Sequence, residues 1–519
     1  MSAPVPSPFV PESTEPLPLA DLVHRFDLGG DPAGVAVSGI SLGTGAVRPG
    51  HLFIALQGVR SHGADYAADA IAKGAVAVLT DPAHAALAVD VPVLTFPEPR
   101  LLLGDLAAAV YRTGERHPLL LGVTGTNGKT STTHLLGGLL DLLEVPNGLS
   151  STAERRVGSE RRVAGLTTPE ATELHALIAR MEETGVEAAA IEVSAQGLSR
   201  HRLDGIVFDV AGFTNLSHDH LDDYADMEEY YAAKAVLFQP DRSRRAVVSL
   251  DTAWGDRVLA DAGVPTVSIA LAGGAPADWT VTVTEETQAH TAFVLEGPGG
   301  RRVTSRIPVL GAHMAANAGL AVVMLLEAGY AFERLQAVLE GPRGMAATLP
   351  GRTELVSGPG APAVYVDFGH SPHAFQETLA AVRAVTPGKV IMLFGADGDR
   401  DTTKRPDMAR AAVAGSDILV VTDHHPRFED PASIRATLVA AAREAAPDHP
   451  LYEEGQPEKA IRLAVSLARP GDAILWAGPG HQNYRDIRGV RTDYSARREA
   501  RAALLEAGYE AAPSHDLAS

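Results

Sequence analysis

The chain has 519 residues, of which 45% are hydrophobic, a formal net charge of −20 and no cysteine. This length exceeds what one hydrophobic core supports, so about three domains are expected. The acidic balance argues against a general nucleic-acid binder, and the lack of cysteine excludes disulfides, thiol catalysis and thiolate metal sites, which fits a cytoplasmic location.

No run of about 18 apolar residues occurs, so no segment is expected to span a membrane. Residues 1–17 are rich in proline and serine, and they predict a flexible tail rather than a signal peptide. Three α/β units are predicted after this tail, at 18–117, 118–348 and 349–519. The first unit mixes short β-like runs, "HLFIAL" and "AVAVL", with alanine-rich helical segments.

A phosphate-binding loop is predicted in the stretch "GTNGKTST", residues 125–132. Gly125 and Gly128 allow a tight turn whose N–H groups point at phosphate oxygens, Lys129 can reach the terminal phosphates, and the Thr130 hydroxyl can bind Mg²⁺. The following helix carries a leucine stripe that packs it on the sheet, formed by Leu135, Leu136, Leu139, Leu140 and Leu143. Only two residues separate the glycines, fewer than in the full Walker pattern, so a glycine-rich turn with an incidental lysine is the alternative.

Three further side chains of the central unit bear on the phosphate chemistry. Glu192 and His220 follow predicted strands, and each could complete a Mg²⁺ shell. A histidine ligand is unusual for this hard cation, so a core or capping role is the default for His220 on chemistry alone. Lys234, on a predicted helix, reads as a solvated surface lysine when its residues are considered alone.

Apolar runs in both later units are followed at once by unusual polar residues. In an open parallel sheet, ligands bind outside the carboxyl ends of the strands, so this arrangement predicts two sheets that face a shared site. The seven segments are "PLLLGVT", "VEAAAIEV", "IVFDVAGF", "AVYVDF", "KVIMLF", "DILVVT" and "DAILWA".

Several long motifs resemble those of the Mur ligases, in order and in spacing. They include "GVTGTNGKTSTTHLL", "LTTPEATELHALI", "IEVSAQGLSRHRLDG", "FTNLSHDHLDDYADMEEYYAAKAVLF", "LPGRTE", "VDFGHSP", "FGADGDRDTTKRPDMA" and "GPGHQ". The segment "VRPGHLFIALQGVRSHGADYAADAIAKGAVAVL" also resembles the UDP-binding domain of that family. The resemblance implies an α/β fold of three domains: an N-terminal UDP-binding domain, a central P-loop ATPase-like parallel sheet and a C-terminal Rossmann-like domain that binds an amino acid.

The resemblance also implies a reaction. ATP, with Mg²⁺, phosphorylates the terminal carboxylate of a UDP-N-acetylmuramoyl-dipeptide that ends in D-glutamate, and a free amino acid then attacks the acyl phosphate to become the third residue. Such an enzyme is expected to be a monomer without nucleic-acid or membrane partners. Two alternatives are a folylpolyglutamate-type ligase and a non-catalytic nucleotide-binding regulator. A P-loop kinase or GTPase is disfavoured, because neither activity would give the third domain a role.

Roles carried over by position fall into three groups. Contacts to the nucleotide are implied for Gly125, Thr126, Asn127, Gly128, Lys129, Thr130, Ser131, Asn317, Arg352, Asp367 and His370. Metal binding is implied for Thr130, Glu192, His220 and Lys234, the last as a carbamylated lysine, and Lys129, Lys234 and His220 are the implied catalytic residues. Contacts to the muramoyl peptide are implied for Thr167, Thr168, Ser194, Arg200 and Arg202. Without the resemblance, Arg352 reads as a surface ion pair and Asp367 as a helix cap.

The N-terminal unit departs from the family pattern. The usual Asp-Ser-Arg signature is replaced by "SLGTGAVRPG", in which Ser41 and Thr44 remain candidates for contacts to uracil or pyrophosphate.

The predicted amino-acid pocket departs further. Members that add meso-diaminopimelate have Asp-Asn-Pro-Arg where this chain has His424, His425, Pro426 and Arg427, and an acidic residue where it has Gln482. Arg405, Arg427 and Gly478 match the family, and the arginines can still hold carboxylates. The loss of the acidic pair predicts another amino acid, such as lysine, ornithine, diaminobutyrate or homoserine, with Glu429 or Asp430 as candidate partners for a side-chain amine. Metal binding by the histidines and a loop-capping role for His425 are the alternatives.

Overall fold

A computed structural model describes residues 9–58, 61–219, 221, 223–347 and 349–513. It has mixed α/β architecture with three main sheets, of which the central one is mostly parallel, so the predicted fold class is confirmed. Among the described residues, every helix is too short or too polar to cross a bilayer.

The N-terminal part forms a four-stranded parallel sheet in the order β3-β4-β5-β6, and a two-stranded sheet pairs β1 with β2. Helices α1 and α3 bury leucines against this sheet, which places its core between the helices and the strands. The elements are β1 (Leu17–Pro18), α1 (Leu19–Phe26), β2 (Ala36–Val37), β3 (Gly39–Ser41), β4 (His51–Ile54), α2 (Ala67–Ala72), β5 (Ala75–Thr80), β6 (Val93–Thr95) and α3 (Leu103–Tyr111).

The central part is built on an eleven-stranded sheet in the order β10-β9-β8-β11-β7-β12-β13-β14-β15-β16-β17. In this order, the strands from β8 through β11, β7, β12, β13 and β14 to β15 run parallel to one another. Strands β9 and β10 at one edge, and β16 and β17 at the other, are antiparallel to their neighbours. The strands are β7 (Leu119–Thr124), β8 (Asn147–Ser150), β9 (Glu154–Val157), β10 (Glu160–Val163), β11 (Ala188–Glu192), β12 (Phe208–Phe213), β13 (Ser243–Ser249), β14 (Thr266–Leu271), β15 (Trp279–Glu286), β16 (Thr291–Gly297) and β17 (Arg301–Ile307). The helices are α4 (Lys129–Leu142), α5 (Ala171–Glu183), α6 (Ala195–Ser199), α7 (Met227–Ala235), α8 (Ala253–Asp261), α9 (Ala312–Glu327) and α10 (Phe332–Leu339).

The C-terminal part is a six-stranded sheet in the order β18-β19-β23-β20-β21-β22, parallel except for β18, with a separate hairpin of β24 and β25. The strands are β18 (Glu354–Leu355), β19 (Ala363–Asp367), β20 (Val390–Phe394), β21 (Ile418–Val421), β22 (Leu451–Glu453), β23 (Ala473–Ala477), β24 (Tyr484–Ile487) and β25 (Val490–Asp493). The helices are α11 (Pro372–Ala384), α12 (Arg405–Gly415), α13 (Pro431–Ala445), α14 (Pro457–Leu467) and α15 (Ala496–Glu506).

The seven apolar segments singled out in the sequence are all strands: β7, β11 and β12 in the central sheet, and β19, β20, β21 and β23 in the C-terminal sheet. They are buried because helices cover both faces of each sheet, which is why they read as continuous apolar runs. The leucine stripe of α4 is buried as predicted.

The outer strands of the central sheet carry charge. Arg301, Arg302 and Arg306 of β17 are exposed, and at the opposite edge Glu160 and Arg161 of β10 are exposed.

The predicted tail makes contacts from Phe9 onward. The Phe9 side chain is buried, with the Arg162 guanidinium 4.0 Å from its ring centre. The backbone N–H groups of Glu12 and Ser13 donate to the carboxylate of Glu183 on α5. This part of the predicted tail is therefore held against the central part, whereas residues 1–8 lie outside the described residues.

Candidate active site

The predicted phosphate loop lies between β7 and the N-terminus of α4. A Cβ atom on Gly125 would overlap the Thr214 hydroxyl, and one on Gly128 would lie 2.6 Å from Asn317 Oδ1. Both residues have positive φ, 148° and 85°, so glycine is required for both conformation and space. The loop backbone and the positive end of the α4 dipole together form a suitable place for phosphate oxygens.

Lys129 begins α4 and folds back over the loop. Its Nζ donates to the carbonyls of Gly125 and Thr126, at 3.1 and 2.9 Å. Burial lowers the pKa of Lys129, with Glu192 and Asp219 opposing that shift. The neighbouring residues hold the loop in place: Thr126 and Asn127 bond to the segment after β12, and Ser131 is buried in α4.

Glu192 is the centre of a cluster of oxygen ligands at the end of β11. Its carboxylate accepts hydrogen bonds from the Thr130 hydroxyl at 3.0 Å, from the Thr152 hydroxyl at 3.1 Å and from the Thr152 N–H at 2.8 Å. The cluster is nearly buried. Carboxylate and hydroxyl oxygens are the protein ligands that Mg²⁺ prefers, so the donor set fits this ion.

Lys234 on α7 is 1% exposed, so the interpretation as a surface lysine is wrong. Its Nζ donates to the Gly125 carbonyl at 2.8 Å and lies 4.6 Å from the ring centre of Tyr230. Burial and the nearby Lys129 charge hold the pKa of Lys234 well below its usual value. His220, the other predicted metal ligand of this region, lies outside the described residues.

Most of the predicted peptide contacts are brought together beside Glu192. The Thr168 hydroxyl donates to the Glu192 carbonyl and accepts from the Ser194 N–H, both at 3.0 Å. Thr167 shares a hydrogen bond with Thr152, and Arg202 donates to the Thr168 carbonyl and pairs with Glu170. Arg200 is not part of this group, because its half-exposed side chain pairs with Asp223.

Of the predicted nucleotide contacts from the C-terminal part, Arg352 reaches the phosphate loop. Arg352 Nη2 donates to the Thr130 hydroxyl at 2.8 Å, and its guanidinium lies 4.4 Å from the Phe368 ring centre. Asp367 stabilises its own domain, because its carboxylate accepts hydrogen bonds from the N–H groups of Thr353 and Gly369. His370 Nδ1 lies 2.9 Å from the Phe368 carbonyl oxygen.

A second contact between the two parts was not predicted. Lys404 Nζ, at the start of α12, lies 2.8 Å from Asp219 Oδ1 in the segment after β12, and His370 Nε2 lies 3.7 Å from Asp219 Oδ2. Both members of the Lys404–Asp219 pair are nearly buried. They are 185 residues apart, and no local pattern in the sequence pairs them.

The predicted amino-acid pocket lies at the carboxyl ends of β20, β21 and β23, and it contains the two neighbouring histidines. His425 is buried, its Nε2 lies 2.8 Å from Gln482 Oε1, and its Nδ1 accepts from the Asp486 N–H at 3.0 Å. His424 packs against His425 with ring centres 4.1 Å apart, and its Cδ2 lies 3.6 Å from the position that a Cβ on Gly478 would take. Burial lowers the pKa of His424 to about 3 and that of His425 in the same direction, so both rings are neutral near pH 7.

Both arginines of this pocket are engaged inside the protein. Arg405 makes a two-pronged ion pair with Glu429, at 2.9 and 2.8 Å, and donates to the Asp397 carbonyl. Arg427 donates to the Gly398 carbonyl and lies 3.5 Å from Asp397 Oδ2. Glu429, one of the two acids considered for a substrate amine, is thus taken by Arg405, and the other, Asp430, caps α13.

The candidate N-terminal contacts are local ones. The Ser41 hydroxyl lies 2.6 Å from His51 Nδ1 and donates to the Ala46 carbonyl, and Thr44 begins a short 3₁₀ turn.

Three family models match the chain. They are described as "Mur ligase family, catalytic domain" over residues 36–111, "Mur ligase middle domain" over residues 123–325 and "Mur ligase, glutamate ligase domain" over residues 351–480.

Relatives and solved structures agree with these matches. The chain is 54% identical to the UDP-N-acetylmuramyl-tripeptide synthetase of Leifsonia xyli subsp. xyli, over 98% of this chain and 100% of that protein. It is 41% identical to the UDP-N-acetylmuramoyl-L-alanyl-D-glutamate–2,6-diaminopimelate ligase of Streptomyces avermitilis, over 96% of this chain and 99% of that protein. A solved structure of a 2,6-diaminopimelate ligase of the same description superposes with a TM-score of 0.63 at 27% identity, covering 91% of this chain and 96% of that chain. This protein therefore belongs to the Mur ligase family.

Proposed function

We propose that this protein is the ATP-dependent ligase that adds the third amino acid to a UDP-N-acetylmuramoyl-dipeptide ending in D-glutamate. Mur ligases are ATP-dependent enzymes that form peptide bonds, and the relatives named above act at the third position or carry the tripeptide name. The observation that carries the proposal is the 2.8 Å hydrogen bond from Arg352 to Thr130. It joins the C-terminal sheet, which holds the amino-acid pocket, to the phosphate loop.

The reaction proceeds in two steps. A carboxylate oxygen of the dipeptide attacks the γ-phosphorus of ATP, the bond to the β–γ bridging oxygen breaks, and ADP leaves. The amine of the amino acid then attacks the acyl carbon, loses a proton and expels phosphate, which leaves an amide. Phosphorylation supplies the leaving group that a carboxylate lacks, and burial of the site protects the acyl phosphate from water.

The nucleotide is proposed to lie on the loop between Gly125 and Ser131, with Lys129 directed at its terminal phosphates and Asn317 beside the loop. Thr130 and Glu192, with His220 and Lys234 as further ligands, would hold Mg²⁺, which neutralises phosphate charge when it is bound. Arg352 lies where it can approach the transferred phosphoryl group as well as Thr130.

Lys234 is proposed to be carbamylated. Its lowered pKa gives the neutral amine that reaction with CO₂ requires, and the resulting carbamate would be an anionic ligand beside Glu192. Removal of dissolved CO₂ is expected to lower activity, and added bicarbonate is expected to restore it. Lys234→Arg, which cannot form the carbamate, is expected to show no response to bicarbonate.

The muramoyl dipeptide is proposed to lie along Thr167, Thr168, Ser194 and Arg202, because these residues form one hydrogen-bonded group beside Glu192. The incoming amino acid is proposed to be one other than meso-diaminopimelate. The support is that Arg405 is already neutralised by Glu429, and that neutral His424 and Gln482 stand where the diaminopimelate-adding members have acidic residues, with Gln482 bonded to His425.

Release of ADP from ATP, UDP-N-acetylmuramoyl-dipeptide and a panel of amino acids tests the proposal, with mass spectrometry of the tripeptide product. Lys129→Ala is expected to abolish product formation, whereas exchange of the exposed Lys73 is expected to leave it unchanged. Undiminished synthesis by Lys129→Ala would contradict the proposal. Thermal stabilisation by folates, and not by the UDP-dipeptide, would favour a folylpolyglutamate-type ligase. Bound nucleotide without phosphate release, whatever the amino acid, would favour a regulator.

A further inference from the structure

We infer, on the basis of the ligase function proposed above, that Asp397 selects the incoming amino acid by binding a side-chain ammonium group. The substrates that this arrangement fits are α,ω-diamino acids with a single carboxylate, the class that contains diaminobutyrate, ornithine and lysine.

Asp397 lies just beyond the end of β20, between the loops that follow β21 and β23. Its Oδ1 atom is buried and has no hydrogen-bond partner among the described residues. His424 Nε2 is 3.6 Å from Oδ1, and Arg427 Nη2 is 3.5 Å from Oδ2, so both neighbours are beyond an ordinary hydrogen bond or at its limit. Burial alone would raise the pKa of Asp397, but the positive charge of Arg427 helps to hold it below its usual value, so the carboxyl is ionised. An ionised, buried and unsatisfied oxygen calls for a cationic donor.

A metal ion is the other cation that such a cluster suggests, because ligand atoms of Asp397, His424 and His425 lie within 4.8 Å of one another. The hydrogen bonds of His425 argue against it. Nδ1 accepts from the Asp486 N–H, which requires the proton on Nε2, and Nε2 then donates to Gln482. Neither nitrogen of His425 has a free lone pair for a metal, and two ligands alone make a poor site.

The charges of the pocket specify which ammonium compound fits. Arg405 is neutralised by Glu429, Arg427 is balanced by Asp397, and the histidines are neutral, so the groups that face the substrate carry no net charge. Arg485 does not alter this balance, because it donates to the His424 carbonyl and faces Asp423. When Arg427 binds the α-carboxylate of a substrate, the Asp397 carboxylate loses the arginine that lies 3.5 Å from it and requires a replacement cation.

Candidate amino acids differ in how they meet this requirement. In the attacking form the α-amine is neutral, so a diamino acid with one carboxylate carries one negative and one positive charge, and both find a partner. Homoserine carries only the negative charge and leaves Asp397 unpaired. meso-Diaminopimelate carries a second carboxylate, for which Arg405 is not available unless Glu429 is displaced. Unpaired buried charge is costly in each of these two cases.

The experiment compares kcat/KM for diaminobutyrate, ornithine, lysine, homoserine and meso-diaminopimelate, measured by ADP release and tripeptide mass. Wild-type protein is expected to prefer a diamino acid with one carboxylate. Asp397→Asn keeps the shape and removes the charge, and it is expected to lower kcat/KM for the best diamino acid by about 10- to 100-fold, the worth of one charge-assisted hydrogen bond. Activity with homoserine is expected to fall by less than about twofold or to rise.

Asp399→Asn is the matched control, because Asp399 is exposed, lies two positions away and has its carboxylate on the Phe428 N–H. We expect it to match the wild type for every amino acid. Circular dichroism and the thermal unfolding curve of the whole protein report whether Asp397→Asn is folded, because stabilisation by ATP would report mainly on the central domain that holds the phosphate loop. Preference of the wild type for meso-diaminopimelate or homoserine would overturn the inference, as would equal profiles for the two variants. Absence of turnover with every amino acid would instead overturn the ligase function itself.

Discussion

The ion pair between Lys404 and Asp219 is expected to control how the C-terminal part docks on the central part. The two charges are 2.8 Å apart and nearly buried. At an effective dielectric constant of about 20 their attraction is about 6 kcal/mol, much of which desolvation offsets. Removal of one partner from a buried pair costs about 3–5 kcal/mol. Since His370 stays 3.7 Å from Asp219 in Lys404→Met, we expect the lower part of this range or less.

A loss of about 2–3 kcal/mol corresponds to a fall of about 30- to 150-fold in the equilibrium constant between the docked and undocked arrangements. We expect kcat/KM for the amino acid to fall by up to that factor in Lys404→Met, while ATP affinity, which depends mainly on the central loop, changes little. Titration calorimetry and the ADP-release assay measure the two quantities. Lys389→Met, at an exposed lysine of the same domain, is the control. A change of less than about threefold in Lys404→Met, or an equal loss in the control, would refute the reasoning.

Three further predictions concern the loop, the pocket and the N-terminal contact. Gly128→Ala is expected to weaken ATP binding by at least about tenfold, because Gly128 has a positive φ and an added Cβ would lie 2.6 Å from Asn317 Oδ1. Gly114→Ala, whose Cβ would meet open space, is expected to bind ATP normally; calorimetry measures both affinities. The pKa of His424 is about 3 in the folded protein and near 6.5 when unfolded, so the unfolded state binds the extra proton and stability falls as pH is lowered from 6.5 towards 3. The free energy of unfolding of His424→Asn, measured by urea titration at several pH values, is expected to depend less steeply on pH, and an unchanged slope would contradict the assignment. Phe9→Ala is expected to destabilise the protein by about 3 kcal/mol through lost burial, and Phe428→Ala, at a residue 69% exposed, by less than about 0.5 kcal/mol; equal melting temperatures for the two variants would count against packing of the N-terminal segment.

The ends of the strands could be predicted from the sequence. Burial on both faces makes parallel strands continuous apolar runs, and the polar residues that follow each run mark its end. This is why we could assign Lys129, Glu192 and the His424–Arg427 stretch to the carboxyl ends of the strands in the central and C-terminal sheets. The glycines of the phosphate loop were likewise predictable, since their conformation leaves little choice of residue.

Pairing among charged side chains could not be predicted in the same way. Arg405 is followed by several acids within reach, and only the path of the chain decides that Glu429 takes it. Asp397 stands in a run that also contains Asp399 and Asp401, and nothing in the letters separates the partly buried Asp397 from the exposed Asp399 or the buried Asp401. The interpretation of Lys234 as a surface residue was wrong because helix α7 turns that position onto the phosphate loop, a feature of tertiary packing.

The arginine-rich outer strands of the central sheet have a consequence for self-association. An edge strand that leaves backbone groups unpaired invites another extended chain to add itself. Part of the β17 edge is covered, because the Arg302 carbonyl, the Thr304 N–H and the Arg306 carbonyl bond to Gln336, Glu340 and Met345. If β17 of a second copy paired with β17 of the first, the arginines of the two strands would lie close together and repel each other. These guanidinium groups thus act as gatekeepers against fibril-like growth, and their replacement by valine or threonine is expected to lower the concentration at which the protein precipitates on gentle heating.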